Sequence, residues 1–312
     1  MRIVFMGTPD FAVPPLEELV RRQYQVVAVY TQPDRPAGRG RAPAPSPVKT
    51  AALALNLPVM QPSSFKETGA IDQLASLQPD VIVVAAYGLI LPQAVLDVPK
   101  YGCVNIHPSL LPKSRGASPV ASAILAGDEV TGVTFMRLDA GMDTGPILAQ
   151  ERVAISPQDT TGSLTARLAE IAARLLPDVL ERWVGGEIKP QPQNEAEATY
   201  SKRISKEDGE IDWHLPAVEL WRRVRAFQPW PGCYTFWQGK RLGIIEAVPL
   251  PAETSIGPGQ VVGVNKDGAA FGVGTGNGVL GVVKVQMEGK RAMTSGEFVR
   301  GYRQLIGAVL PS

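Results

Sequence analysis

The chain has 312 residues, 45% of them apolar, which is enough to bury a large core and suggests two domains more readily than one. A formal charge of +1 excludes a uniformly basic nucleic-acid coat, yet Leu220 to Ser312 carries eleven Lys/Arg against five Asp/Glu, a net of +6, leaving −5 for the preceding 219 residues. Cys103 and Cys233 are the only cysteines and lack zinc-site spacing, which excludes a disulfide scaffold and fits a reducing compartment.

The apolar run Ile3 to Met6 stops at Gly7, too short for a signal peptide, and no stretch reaches transmembrane length. A cytoplasmic protein without membrane contact is expected. Short β-rich runs then alternate with helix-length amphipathic stretches, the pattern of a parallel sheet covered by crossover helices. The expected strands are Ile3 to Met6, Val26 to Tyr30, Val81 to Ala85, Cys103 to Ile106, Val130 to Arg137 and Ile147 to Val153. Helices are expected at Pro14 to Arg22, with Leu16, Leu19 and Val20 at core spacing, at Ala117 to Ala126, and at Thr161 to Val184. Gly185-Gly186 stops the last of these, and the polar, proline-bearing Lys189-Pro190-Gln191-Pro192-Gln193-Asn194 reads as an extended connection. This gives domains at 1–188 and 207–312 with a linker at 189–206. Beyond it, a helix around Val218 to Ala226 precedes glycine-punctuated, valine-rich runs that suggest a small β-barrel of the kind that often binds nucleic acid.

The chemistry concentrates at Val104-Asn105-Ile106-His107-Pro108-Ser109-Leu110-Leu111-Pro112. Two residues apart on a strand, Asn105 and His107 share one face. A carboxamide can donate to an oxygen that gains negative charge and a neutral imidazole can move a proton near pH 7, so the pair suits carbonyl-group transfer. A carboxylate beside His107 would raise its basicity and hold its orientation, and Asp139 or Asp143 in the glycine turn could supply it. Either could equally be a turn aspartate bonding its own backbone. His214 reads as an ordinary surface or core histidine.

Gly7-Thr8-Pro9-Asp10-Phe11 lacks the further glycines of a dinucleotide fingerprint, so it reads as a tight strand-to-helix turn capped by Thr8 or Asp10. Asp34 to Pro43 carries Arg35, Arg39 and Arg41 among Gly, Pro and Ala with no apolar periodicity. It reads as a mobile basic loop suited to gripping phosphates and ordering on binding.

Taken together, Gly7 to Ala12, the arginine loop ending in Ser46-Pro47-Val48-Lys49, Asn105 to Ser109, Asp139 to Gly145 and Phe227-Gln228-Pro229-Trp230-Pro231-Gly232 resemble the folate-dependent formyltransferases over almost the full length. The resemblance implies an α/β, Rossmann-like formyltransferase domain followed by a C-terminal OB-like β-barrel domain that binds tRNA. It implies Asn105, His107 and Asp143 as the catalytic set, and Ser109, Leu110, Leu111 and Pro112 as folate-binding, with Ala86-Tyr87-Gly88 lining the pterin pocket. The implied co-substrate is 10-formyltetrahydrofolate, without a metal, and the implied acceptor is the α-amino group of initiator methionyl-tRNA, formylated for translation initiation by a monomer. A small amine, such as a purine precursor or an amino sugar nucleotide, is the alternative acceptor. One departure from the family pattern is Ser114, where a tryptophan commonly precedes Arg115-Gly116 and would offer a stacking contact.

Overall fold

The computed structural model describes residues 1–37, 42–66, 68–251 and 256–312, which form two compact units. The first comprises Met1–Pro119, Val130–Ala154 and Leu164–Ser201, and the second Val120–Glu129, Ile155–Ser163 and Lys202–Ser312. Residues 189–201 of the expected linker therefore pack as part of the first unit, while 202–206 open the last segment of the second.

The first unit is built on a seven-stranded sheet in the order Ile147–Ala154, Val130–Arg137, Cys103–His107, Val81–Ala85, Arg2–Gly7, Gln25–Tyr30, Val59–Met60. The last five of these run parallel, and Val130–Arg137 and Ile147–Ala154 extend the sheet antiparallel. Strands such as Val81–Ala85 are buried at every position, because a parallel sheet covered on both faces gives its residues no solvent side. The outermost strand, Ile147–Ala154, is partly exposed instead, as its charged Glu151 and Arg152 require.

The helix Val13–Arg21 starts with prolines in its first turn, where no donor is lost, and buries Leu16 and Leu19. Thr161–Val184 buries Leu164, Leu168, Ala172, Leu176 and Leu180 at four-residue spacing, giving one apolar stripe. Short elements without a clear periodic signature went unanticipated: the strand Val59–Met60 and the helices Pro47–Ala54, Thr68–Ser76 and Gln93–Leu96.

The chain builds outward from Arg2–Gly7 in one direction and then restarts on its other side with Val81–Ala85. The carboxyl ends of those two strands are thus a topological switch point, where an open α/β sheet forms a crevice. Thr8 does not cap a helix there, and neither does Asp10. The Thr8 hydroxyl donates to the Tyr87 carbonyl at 2.8 Å, tying together the loops after the two strands.

In the second unit, a six-stranded antiparallel sheet runs in the order Cys233–Trp237, Lys240–Leu250, Val279–Met287, Ala269–Gly274, Val261–Lys266, with Met293–Thr294 on Val279–Met287. Trp237, Phe298 and Tyr302 meet edge-on or tilted at its core, with centroids 4.6 to 6.0 Å apart. Thr294 and Glu297 form a reciprocal capping box on the helix Ser295–Gly301, which seats Phe298 in that core. Arg225, one of the eleven basic residues in this region, is buried and donates to the carbonyls of Ser156 and Pro157 at 3.2 and 3.1 Å, so its charge serves the fold. Both cysteines are free and buried, and burial pushes each thiol up to about 12.

Candidate active site

Strand alternation places Asn105 and His107 on one face of Cys103–His107, and both side chains are buried. The Asn105 carboxamide makes no hydrogen bond among the described residues, although it is only 8% exposed. With no protein partner, its N–H is free to donate to a bound ligand.

His107 has a definite tautomer. Its Nε2 lies 3.1 Å from the Ser114 carbonyl oxygen, which can only accept, so Nε2 carries the hydrogen. In the neutral ring the lone pair then sits on Nδ1, 3.7 Å from Asp143 Oδ1 and beyond hydrogen-bond reach. Ser114, and not the carboxylate, therefore holds the ring's orientation. Burial lowers the His107 pKa from its usual 6.5, while the Asp143 charge and the Ser114 carbonyl act in the opposite direction.

The two turn aspartates have separate partners. Asp139 Oδ1 accepts from Gly141 N at 3.0 Å and Thr144 Oγ1 at 2.7 Å, closing its own turn. Asp143 turns toward His107, with Oδ2 accepting the Gly116 N–H at 2.8 Å. Gly116 is at φ +108°, and a Cβ there would lie 2.7 Å from the Ser201 carbonyl, so only glycine admits this approach.

The stretch Ser109 to Pro112 is fixed by a residue the sequence did not single out. Thr134, opposite His107 in the neighbouring strand, donates to the Ser109 carbonyl at 2.6 Å and accepts from Leu111 N at 3.1 Å and Gln150 Nε2 at 2.9 Å. The Ser109 side chain is buried and donates to the Lys113 carbonyl at 2.7 Å. Ser109 and Leu111 thus shape the loop from within, while Leu110 is half-buried.

Residues 193–201 also build the site. Tyr200–Ser201 pairs in parallel with Arg115–Gly116, Thr199 Oγ1 accepts from Ser114 N at 2.8 Å, and Arg115 forms a bidentate pair with Glu195 at 2.9 and 2.7 Å. That salt bridge raises the Arg115 pKa further. The sequence signal was weak, because polar residues between prolines look the same whether they bridge domains or fold back onto one.

Arg35 is exposed and its guanidinium donates to the Gln32 side chain. Arg35–Ala37 pairs with Ala42–Ala44 as a short antiparallel ladder, so the described ends of the arginine loop are structured where a mobile loop was expected. At its base, Asp34 is bonded to Lys49 at 2.7 Å and to Gln61 at 2.8 Å, and both hold its carboxyl below the usual range. Arg39 and Arg41 lie outside the described residues. His214 is exposed beside Asp212. Among the described residues no cluster suits a metal ion, and no helix is long and apolar enough to cross a membrane.

Comparison with known proteins places the chain in a family. The methionyl-tRNA formyltransferase of Chloroflexus aggregans (strain MD-66 / DSM 9485) is 51% identical over 301 residues, covering 96% of this chain and 97% of its own. That of Marinobacter nauticus (strain ATCC 700491 / DSM 11845 / VT8) is 49% identical over 306 residues, 98% of each. An N-formyltransferase from Helicobacter canadensis, solved in complex with folinic acid and dTDP-3-aminofucose, shares the fold with a TM-score of 0.67 at 18% identity, over 93% of this chain and 99% of that one. The formyl transferase family model matches residues 1–180 and that of the formyl transferase C-terminal domain residues 203–303, and the chain belongs to the formyl transferase family.

Proposed function

We propose that this chain transfers a formyl group from 10-formyltetrahydrofolate to the α-amino group of initiator methionyl-tRNA, giving N-formylmethionyl-tRNA, and that it does so as a cytoplasmic monomer. The observation that carries the reading is the convergence of an unpaired carboxamide, a neutral buried imidazole and a carboxylate around Asn105, His107 and Asp143. The names of the relatives support the tRNA acceptor, and the neighbour solved with folinic acid supports a folate donor. The excess of base in the C-terminal part supports a polyanionic substrate over a small amine, which needs no long electrostatic reach.

The donor fits the residues present. Asn105 offers a hydrogen-bond donor with no competing partner, and Ile90, 93% exposed in the loop after Tyr87, leaves apolar surface at the same sheet edge. When bound, the folate supplies an activated formyl carbon. The Asn105 amide donates to the formyl oxygen as negative charge develops there. His107 Nδ1 accepts the proton that the amine loses on forming its bond to the formyl carbon, and the imidazolium is stabilised by Asp143 on one side and the Ser114 carbonyl on the other. His107 then returns that proton to the folate nitrogen as its bond to the formyl carbon breaks, so the nitrogen departs neutral.

The deciding experiment incubates the protein with 10-formyltetrahydrofolate and, separately, methionyl-tRNA, a purine-precursor amine and an amino sugar nucleotide. Formylation of methionyl-tRNA alone is expected. Preferential formylation of either small amine would replace this reading with the alternative.

A further inference from the structure

We propose that Gln193 is a positioning residue for formyl transfer: its side chain bridges the Asp143 turn and the buried Arg115 guanidinium, and so sets the gap between Asp143 and His107. This rests on the reading above, in which Asp143 acts on His107.

Gln193 Nε2 donates to the Asp143 carbonyl at 2.8 Å and to the Gly145 carbonyl at 2.7 Å. Its Oε1 accepts from Arg115 Nε at 3.1 Å and Nη2 at 2.9 Å. The orientation of the amide is not a free choice, because a guanidinium only donates and the two carbonyls only accept. Reversing the amide would break all four bonds.

The anchor is firm. Arg115 is fully buried, and its remaining donors are taken up mainly by the Glu195 carboxylate. Gly116, the next residue, donates its N–H to Asp143 Oδ2. Asp143 is consequently held at two points, its carboxylate by Gly116 and its backbone by Gln193, and both supports originate in the Arg115–Gly116 segment. That double hold is needed because Asp143 sits at φ +54°, a region that residues with a Cβ rarely adopt. Gln193 donates to the carbonyls on both sides of Thr144, directly after the strained residue. Loss of those two bonds lets the turn relax and widens a gap whose 3.7 Å length decides how well the carboxylate stabilises the imidazolium.

The two ends of the side chain allow a decisive test. Gln193→Glu keeps an oxygen for Arg115 but places a second oxygen against two carbonyls, whereas Gln193→Ala removes both links. Positioning predicts that both variants lose kcat by roughly 10- to 100-fold, with KM for folate and for tRNA within about twofold of the parent. It also predicts that Gln193→Glu causes no further loss when added to Asp143→Asn, since it acts through that carboxylate. A purely structural tie to Arg115 would leave Gln193→Glu fully active, or would give a loss that multiplies with Asp143→Asn, and either result overturns the proposal. A loss confined to KM overturns it too. Thermal melting accompanies each variant; should Gln193→Glu not fold, Gln193→Met, similar in size and without either hydrogen-bonding group, is combined with Asp143→Asn instead, and a loss that multiplies overturns the proposal. Full activity in Asp143→Asn would overturn the role of Asp143 and this proposal with it, while an impaired Asp143→Asn beside a fully active Gln193→Glu overturns this proposal alone.

Discussion

The Nε2–H of His107 donates to the backbone carbonyl of Ser114 at 3.1 Å, and Ser114 itself is held at φ +58° with its N–H on Thr199 Oγ1. The contact uses main-chain atoms at position 114, so the serine hydroxyl takes no part in anchoring the imidazole. Ser114 offers no ring for stacking, and the bond that orients His107 comes from its backbone carbonyl.

His107→Ala should abolish transfer and spare folate binding. As the proton relay it contributes about 10²- to 10⁴-fold to the rate. Single-turnover transfer to methionyl-tRNA, set beside an equilibrium titration with the folate, makes the comparison, and near-normal turnover would end the assignment.

The pH profile should place the acid limb of kcat/KM below 6.5, because burial lowers the His107 pKa and only the neutral ring accepts a proton. Asp143→Asn removes an influence that raises that pKa, so its limb should move further into acid despite a lower plateau. Stability follows the same linkage: the unfolded histidine binds a proton first, so stability is level above 6.5 and declines as pH falls from there toward the folded value. A limb that moves toward alkali in Asp143→Asn would contradict the arrangement.

Thr134→Val should destabilise the protein by about 1 to 3 kcal/mol, since it strands the Leu111 N–H and the Ser109 carbonyl in a buried setting. Urea unfolding measures this. A raised KM for the folate should accompany it, because the same hydroxyl shapes the Ser109 to Pro112 loop.

Replacing Arg39 and Arg41 together by glutamine should raise KM for tRNA and flatten its dependence on salt, with KM for the folate unchanged. Kinetics at several ionic strengths test this, and an unchanged salt slope would mean that the loop merely faces solvent.

Much of the frame was legible in the chain. Runs such as Val81–Ala85 and the spaced leucines of Thr161–Val184 carry their periodicity openly, because one buried face dominates each element. Val59–Met60 and Gln93–Leu96 were hidden, being too short for any period to develop. The composition of 189–206 suggests a linker because composition reports solvation, and a polar segment hydrogen-bonded to a buried arginine, as 193–195 is, looks the same. A chain ended near Asn194 would accordingly lose Thr199, Tyr200 and Ser201, all of which support the Ser114 to Gly116 segment.

The sequence by itself determined that Asn105 and His107 share a strand face, since alternation follows from backbone geometry alone. It also determined, through a set of ordered motifs, the family to which the chain is similar. Only the tertiary structure decided that Ser114 orients the imidazole, that Asp139 closes its own turn while Asp143 faces His107, and that Thr134 and Gln193 hold the surrounding loops. Apart from the local bonds of Asp139, each of these depends on a hydrogen bond between residues distant in the chain or on a single left-handed backbone angle, and neither leaves a periodic trace in composition.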